Sequence, residues 1–307
     1  MDVTIVPNKL QGRVTPPPSK SQTHRVILAA ALARGRSRLE NVAISQDILA
    51  TLSCIGALGA HWERKGERTL EVTGMGGIFQ PGKELPHFDC GESGSTLRFL
   101  IPIALAVAGG GIFTGRGRLM ERPQEPYIHL FHEKGISWNR EGDTLTVLGQ
   151  LKAGDYELPG NVSSQFFTGL LYALPLVSGI SRIVPTTHIE GRDYLAMTLD
   201  TLAGAGVTVT ELHNTIKYFH ITGKTAYKAM DYTVESDWSQ AAFWYAANFL
   251  GGQITIQGLN PTSAQGDKAV ASFYWKLARP GDVDLDMSQY PDLVPPLAAM
   301  AAVRKGT

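Results

Sequence analysis

The chain has 307 residues, of which 43% are hydrophobic and 18% charged, and its formal net charge is zero. These values are typical of a folded protein of about two domains and exclude a disordered chain. The zero net charge argues against a nonspecific nucleic-acid binder, and no apolar run reaches the roughly 18 residues that would span a membrane. The two cysteines, Cys54 and Cys90, cannot form a disulfide framework, so free thiols in a reducing, cytoplasmic compartment are expected.

Five segments along the chain share one pattern, in which a polar cluster is followed by an apolar run and then a glycine. The segments run from Ser19 to Gly35, Ser93 to Gly109, Ser163 to Gly179, Ser236 to Gly251 and Asp292 to Gly306. Serine and aspartate favour the N-cap of a helix, and glycine favours its end. The pattern therefore predicts five buried helices, the last with Asp292 as its N-cap. Several such N-termini facing one cleft would attract an anion.

Between these helices, a second element recurs: two short alternating strands around a charged turn. It occupies residues 54–74, 132–149 and 201–223. Combined with the helices, it predicts βαβαββ units and an α/β (α+β) fold. Three complete units would fill residues 19–228 as one domain. Residues 1–18 and 229–307 would form an incomplete second domain, and the chain would cross between the two near residues 15–18 and 224–231.

Several of the polar clusters have a functional and a purely structural interpretation. Lys20 and Arg25 near the positive end of a helix are unfavourable unless an anion binds there, and phosphate suits both side chains; a solvated helix start is the alternative. Gly94 would permit close approach of the backbone. Ser163–Gln165 would bind phosphate or sugar hydroxyls, or only cap a helix. Asp292 would accept a proton from a substrate hydroxyl, or only cap a helix.

Six motifs occur in the order found in the enolpyruvyl transferase family. They are P-x-SKS-x-x-x-R (17–25), C-G-x-S-G-S-T-x-R (90–98), ERP (121–123), SSQ (163–165), Y-x-V-E-x-D-x-S (232–239) and P-D-L-V-P (291–295). The ordered set resembles this family, and in particular its 5-enolpyruvylshikimate-3-phosphate synthase branch. The related UDP-N-acetylglucosamine branch has Lys-Asn where this chain has Lys20-Ser21, which disfavours it.

The resemblance implies a fold of two domains, each built from three βαβαββ units. It implies transfer of the enolpyruvyl group of phosphoenolpyruvate to the 5-hydroxyl of shikimate 3-phosphate with release of phosphate, a step in aromatic amino acid biosynthesis. No metal or organic cofactor is implied. The partners would be these two small molecules, with no nucleic acid and no membrane, and the protein would be a monomer.

The family's functional residues carry over to matching positions. The catalytic pair would be Lys20 and Asp292. The shikimate 3-phosphate ligands would be Lys20, Ser21, Arg25, Ser163, Ser164, Gln165, Tyr194 and Asp292. The phosphoenolpyruvate ligands would be Lys20, Gly94, Arg122 and Gln165.

The chain also departs from the family pattern. Glu92 stands where the family usually has Asn, and Gly191 stands where a serine is expected before Tyr194. The family continues beyond Thr307 with an R-x-K-E-x-D-R segment and further cations for phosphoenolpyruvate. Three hypotheses therefore stay open: an enolpyruvyl transferase whose sequence is incomplete here, a truncated or noncatalytic homologue that binds shikimate 3-phosphate only, and a repeat scaffold without a ligand.

Overall fold

The structure, a computed structural model, describes residues 3, 4, 6, 8–77, 84–213 and 217–306. Within these residues the strands are β1 (Gln11–Val14), β2 (Arg34–Glu40), β3 (His61–Arg64), β4 (Leu70–Met75), β5 (His87–Asp89), β6 (Gly110–Thr114), β7 (Ser137–Glu141), β8 (Thr144–Leu148), β9 (Asp155–Leu158), β10 (Ile180–Pro185), β11 (Val209–His213), β12 (Lys217–Thr222), β13 (Asp231–Thr233) and β14 (Gln253–Ile256). The α-helices are α1 (Lys20–Leu32), α2 (Gln46–Ala57), α3 (Gly94–Val107), α4 (Glu125–Glu133), α5 (Ser164–Ala173), α6 (Arg192–Gly204), α7 (Trp238–Phe249), α8 (Val270–Ala278) and α9 (Val294–Ala301). Among these, no helix combines the length and the apolar character needed to cross a membrane.

The chain forms two compact units, each with its own hydrophobic core. The larger unit consists of Lys20–Val234, and the smaller one of Met1–Ser19 together with Glu235–Thr307. The core of the larger unit draws its buried residues from positions between Val26 and Val234. The core of the smaller unit draws its own from positions between Trp238 and Met300.

The larger unit contains three four-stranded sheets with the same strand arrangement. Their orders are β5-β6-β8-β7, β9-β10-β12-β11 and β13-β2-β4-β3. In each sheet the first two strands pair in parallel, and a hairpin then adds two antiparallel strands. The three hairpins coincide with the three predicted strand pairs, although the turn at residues 214–216 lies outside the described residues. The repeat of strands and helices confirms the predicted fold class.

One strand of the larger unit comes from an unexpected place in the sequence. The first strand of the sheet around β2 is β13, whose Asp231 pairs with Arg38. Directly after it, Val234 is 1% exposed and its amide donates to the Glu40 carbonyl at 2.9 Å. The segment before α1 cannot supply this strand, because β1 pairs with β14 in the smaller unit. The unit therefore extends to Val234, beyond the predicted boundary at residue 228.

The predicted second crossing, at residues 224–231, also differs from the structure. Tyr227 is 2% exposed, and its hydroxyl donates to the Tyr172 carbonyl at 2.7 Å. The segment is therefore packed into the larger unit. The chain leaves that unit between Val234 and Glu235 instead.

The helices of the larger unit are of two kinds. Those that start at the predicted polar clusters, α1, α3 and α5, are buried on nearly all sides, as expected for helices that are apolar all round. By contrast, α2, α4 and α6 bury one face. The glycines predicted to close the five polar-to-glycine segments all have positive φ, between 71° and 119°. However, α1 ends at Leu32, before its glycine, and α5 ends at Ala173, where a 3₁₀ turn containing Pro175 begins.

The smaller unit contains the pair β1 and β14 together with α7, α8 and α9. Asp237 caps α7 by accepting from the Gln240 amide at 2.9 Å. The chain segments that enter and leave this unit lie side by side: the Ser19 amide donates to the Glu235 carbonyl at 2.8 Å. No strand is found in residues 279–290, which belong to the described part of the chain.

Candidate active site

Lys20 stands at the start of helix α1 and contacts the start of α2. Its side chain is 56% exposed, and its Nζ lies 2.9 Å from Oδ2 of Asp47. Asp47 belongs to the first turn of α2. Sequence reasoning missed Asp47, since nothing in the local sequence pairs it with a cation 27 residues earlier. The ammonium group of Lys20 is thus held at a helix N-terminus, on a side chain that is more than half exposed.

Arg25, predicted to bind shikimate 3-phosphate, lies inside the larger unit and is 2% exposed. Its guanidinium donates to the Ser21 carbonyl at 2.7 Å, the Tyr194 carbonyl at 3.0 Å and Oγ1 of Thr198 at 2.9 Å. Burial lowers the pKa of Arg25 to about 10, although nearby tyrosines oppose the effect. Arg25 therefore holds the backbone of two other predicted ligands, and any contact with substrate would come from a buried position.

Gly94 and Arg122, both predicted at the phosphoenolpyruvate site, are in direct contact. A Cβ atom added to Gly94 would lie 2.7 Å from Nη1 of Arg122. The preceding residue, Ser93, caps α3 by accepting from the Thr96 amide at 3.2 Å. Glu92, the departure from the family pattern, is exposed and lies against Gly117, where an added Cβ would come within 2.9 Å of its Oε2. The absence of a side chain at position 94 therefore makes room for the guanidinium at a helix start.

Gln165 joins the start of α5 to α3. Its Nε2 donates to Oγ of Ser95 at 3.0 Å, and its Oε1 accepts from Nη1 of Arg98 at 2.9 Å. Arg98 also donates to the Pro123 carbonyl at 2.8 Å, next to Arg122, and burial lowers its pKa. The sequence analysis included Arg98 only as the last residue of a motif and gave it no role, although its place one helical turn after Gly94 puts it on the same face of the helix.

Ser163, Ser164 and Tyr194 lie at the starts of two neighbouring helices. Ser163 caps α5 by accepting from the Gln165 amide at 3.3 Å. Gly191, at φ 63°, caps α6. A Cβ at Gly191 would lie 3.2 Å from the ring of Tyr194 and 3.7 Å from Oγ of Ser164. The structure therefore brings these residues together around the position where the family has a serine.

Asp292 belongs to the smaller unit, and its predicted role as a helix N-cap is wrong. It lies inside a 3₁₀ turn, Pro291–Leu293, and the α-helix begins only at Val294. The turn forms because Pro291 fixes its own φ and starts the turn one residue before Asp292. The side chain of Asp292 is exposed.

Together, nine of the ten predicted residues belong to the larger unit and lie at or beside its helix starts. They supply several hydroxyls, the ammonium group of Lys20 and the guanidinium groups of Arg25 and Arg122. Free backbone N–H groups, Lys and Arg all favour a negatively charged ligand. In the described part of the chain, no cluster of three or more His, Cys, Asp or Glu side chains could hold a metal ion. The arrangement is suited to binding phosphate or carboxylate groups.

Comparison with known proteins decides the family. The family model of EPSP synthase (3-phosphoshikimate 1-carboxyvinyltransferase) matches residues 5–279. The chain belongs to the EPSP synthase family. The 3-phosphoshikimate 1-carboxyvinyltransferase of Clostridium kluyveri is 41% identical, with 99% of this chain and 74% of the relative covered. That of Clostridium beijerinckii is 40% identical, with coverage of 100% and 75%.

Solved structures show the same fold. The EPSP synthase of Acinetobacter baumannii has a TM-score of 0.71 at 23% identity, covering 88% of this chain and 60% of that one. The enolpyruvyl transferase NikO of Streptomyces tendae has a TM-score of 0.72 at 15% identity, covering 97% and 74%. The chain thus spans about three quarters of its curated relatives and 60% of the Acinetobacter structure. The EPSP synthase family is a family of carboxyvinyl (enolpyruvyl) transferases, as the sequence motifs predicted.

Proposed function

We propose that this chain transfers the enolpyruvyl group of phosphoenolpyruvate to the 5-hydroxyl of shikimate 3-phosphate and releases phosphate. The observation that carries the proposal is the contact between Gly94 and Arg122 beside Gln165, within a member of the EPSP synthase family. It supports a site in which a guanidinium approaches a helix N-terminus so closely that an anion would be bound by both.

The substrate roles follow from where the side chains lie. Lys20, exposed at the start of α1, would contact both substrates and move a proton during addition to the enol ether. Ser21, Arg25, Ser163, Ser164 and Tyr194 would hold shikimate 3-phosphate. Gly94 and Arg122 would hold phosphoenolpyruvate, with Gln165 between the two substrates. Asp292 would accept the proton of the 5-hydroxyl.

Three further proposals concern the protein as a whole. Residues 20–234 would be one complete domain of three βαβαββ units, and the smaller unit would contain part of a second domain. The protein would act as a monomer. It would work in the cytoplasm, a location that fits the two free, buried thiols of Cys54 and Cys90.

The proposal is tested by measuring phosphate release from both substrates in the unchanged protein and in Lys20→Ala. We expect turnover in the unchanged protein and a loss of at least about 100-fold in the variant, because an ammonium group at the reacting centre is removed. The melting temperature should change little, since an exposed ion pair contributes about 0–1 kcal/mol.

Lys65→Ala is the matched control, because Lys65 is also exposed and paired with a carboxylate, that of Glu63, away from the predicted ligands. Its turnover should stay within about twofold of the unchanged protein. Near-normal turnover in Lys20→Ala would refute the proposed role of Lys20. Tight binding of shikimate 3-phosphate without any turnover in the unchanged protein would favour the homologue that only binds this ligand.

A further inference from the structure

A chain of buried polar side chains joins the starts of α1, α2 and α3. His24 Nδ1 lies 2.8 Å from Oγ1 of Thr51, which lies 2.7 Å from Oγ1 of Thr96. Thr96 in turn donates to Oγ of Ser93 at 2.7 Å. None of the four residues is more than 2% exposed. The chain therefore links three helices within the interior of the larger unit.

The number of protons available along these hydrogen bonds determines which ring nitrogen of His24 carries a proton. A hydroxyl group has one proton to donate. Thr96 gives its proton to Ser93, so the one proton of Thr51 goes to Thr96 at 2.7 Å or to the Asp47 carbonyl at 3.3 Å, and in neither case is it available to His24. His24 must then donate from Nδ1 to Thr51, which leaves Nε2 as a bare acceptor. No partner for Nε2 exists among the described residues.

The imidazole of His24 is also neutral. Burial lowers the pKa of His24 to about 3; Asp47 opposes this effect, while Lys20 and Arg25 add to it. A neutral ring keeps one donor and one acceptor, as the proton count requires. His24 therefore acts as a fixed hydrogen-bond donor at physiological pH.

The series of hydrogen-bonded side chains from His24 to Ser93 lies one helical turn below the proposed site. His24 follows Lys20 by four residues on α1, and Thr51 follows Asp47 by four residues on α2, so each pair shares a helix face. The two helices are thus joined twice, by the exposed Lys20–Asp47 ion pair and by the buried His24–Thr51 hydrogen bond. Thr96 attaches the inner bond to the first turn of α3, two residues after Gly94.

We infer that His24 and Thr51 are positioning residues, which set the spacing between the α1 start that carries Lys20 and the α3 start that carries Gly94. The inference rests on the proposed function, in which both residues contact phosphoenolpyruvate. Apolar packing alone tolerates small shifts between helices, whereas a buried hydrogen bond holds its distance because breaking it leaves an unpaired polar group. The buried hydrogen bonds therefore hold the distance between the starts of α1 and α3, which the exposed ion pair cannot hold alone.

Two substitutions at one position separate positioning from packing. Thr51→Val keeps the shape of the side chain and removes the hydroxyl, whereas Thr51→Ser keeps the hydroxyl and removes a methyl group. We expect Thr51→Val to raise KM for phosphoenolpyruvate, and Kd for shikimate 3-phosphate measured by calorimetry, by about tenfold, the scale of losing a group that orients a ligand. Thr51→Ser should stay within about twofold. Equal effects, or a larger effect of Thr51→Ser, would overturn the inference.

Nitrogen NMR of labelled histidine in the unliganded protein tests the chain without relying on activity. The His24 ring should carry its proton on Nδ1 and should not titrate between about pH 5 and 8, where unperturbed histidines do. Its signals should move in Thr51→Val and not in Thr51→Ser. A ring that titrates in this range, or that carries its proton on Nε2, would overturn the inference. If the unchanged protein bound neither substrate, the proposed function would fail. The NMR result would still decide whether the buried hydrogen bonds between His24, Thr51 and Thr96 exist.

Discussion

Among single residues, Gly94 shows how the absence of a side chain can serve a charged site. Its φ is not in the left-handed region, so the backbone alone does not demand glycine. The constraint is instead the guanidinium of Arg122, whose Nη1 occupies the space where a Cβ would come within 2.7 Å. The sequence predicted a glycine that allows close approach, but only the structure identifies the group that approaches.

Gly94→Ala should therefore weaken binding of phosphoenolpyruvate far more than it weakens the fold. The new methyl group displaces the end of a flexible, exposed side chain, so the free energy of unfolding should change by less than about 1 kcal/mol. We expect KM for phosphoenolpyruvate to rise by about tenfold or more, because a misplaced binding group costs that much or more.

The control for this variant is Gly56→Ala in α2, where nothing lies within 4 Å of an added Cβ. This change should leave KM unaltered and stabilise the protein by up to about 1 kcal/mol, since alanine favours a helix more than glycine does. Steady-state kinetics and urea unfolding of both variants check the prediction. A normal KM in Gly94→Ala would show that Arg122 does not bind phosphoenolpyruvate from this position.

Among the elements, α3 contains a proline that would be expected to break it. Pro102 lies inside the helix and has no N–H to offer the carbonyl of Arg98, four residues earlier. The hydroxyl of Tyr127, from α4, lies 3.0 Å from that carbonyl and 2.8 Å from the carbonyl of Phe166 in α5. The single hydroxyl proton is shared between the two carbonyls, so the tyrosine offers a donor to the group that the proline leaves unpaired and joins three helices.

A double-mutant cycle tests this compensation. Tyr127→Phe should lower the free energy of unfolding by about 1–3 kcal/mol, the cost of leaving a buried carbonyl unpaired. In a Pro102→Ala background the restored amide can bond to Arg98, so the same tyrosine change should cost at least about 0.5 kcal/mol less. Chemical unfolding of the four proteins measures the coupling. Additive effects would mean that the hydroxyl does not replace the missing helix bond.

The elements also show what the sequence could and could not predict. Hairpins and most helix starts carry local signals, such as Ser93 before an apolar run, and the sequence predicted these correctly. By contrast, β13 is a three-residue strand whose partner β2 lies far earlier in the chain, and no local pattern identifies that pairing. The cap assigned to Asp292 was wrong because the prolines around it shift the helix start. No sequence pattern identified Thr51, since its partners come from two other helices.

For the molecule as a whole, the two cores are drawn from separate parts of the chain. The core of residues 26–234 packs against all three sheets of the larger unit. The sheet that contains β2 gains its fourth strand only when β13 pairs with β2. Val234 adds a fully buried side chain at that point, and Asn41 Nδ2 donates to its carbonyl at 2.7 Å. We therefore expect the boundary of an independently stable unit to fall after Val234, where the compact unit ends, and not at residue 228.

Two fragments that differ only in this strand test the argument. A fragment of residues 20–234 should fold alone and unfold in one cooperative transition, because its core and sheets lie within it. A fragment of residues 20–228 should be less stable by at least about 2 kcal/mol, since burial of a valine side chain alone contributes about that much. Circular dichroism during thermal and urea unfolding measures both. Equal stability would show that β13 is dispensable, and failure of the longer fragment to fold would show that the larger unit depends on residues outside 20–234.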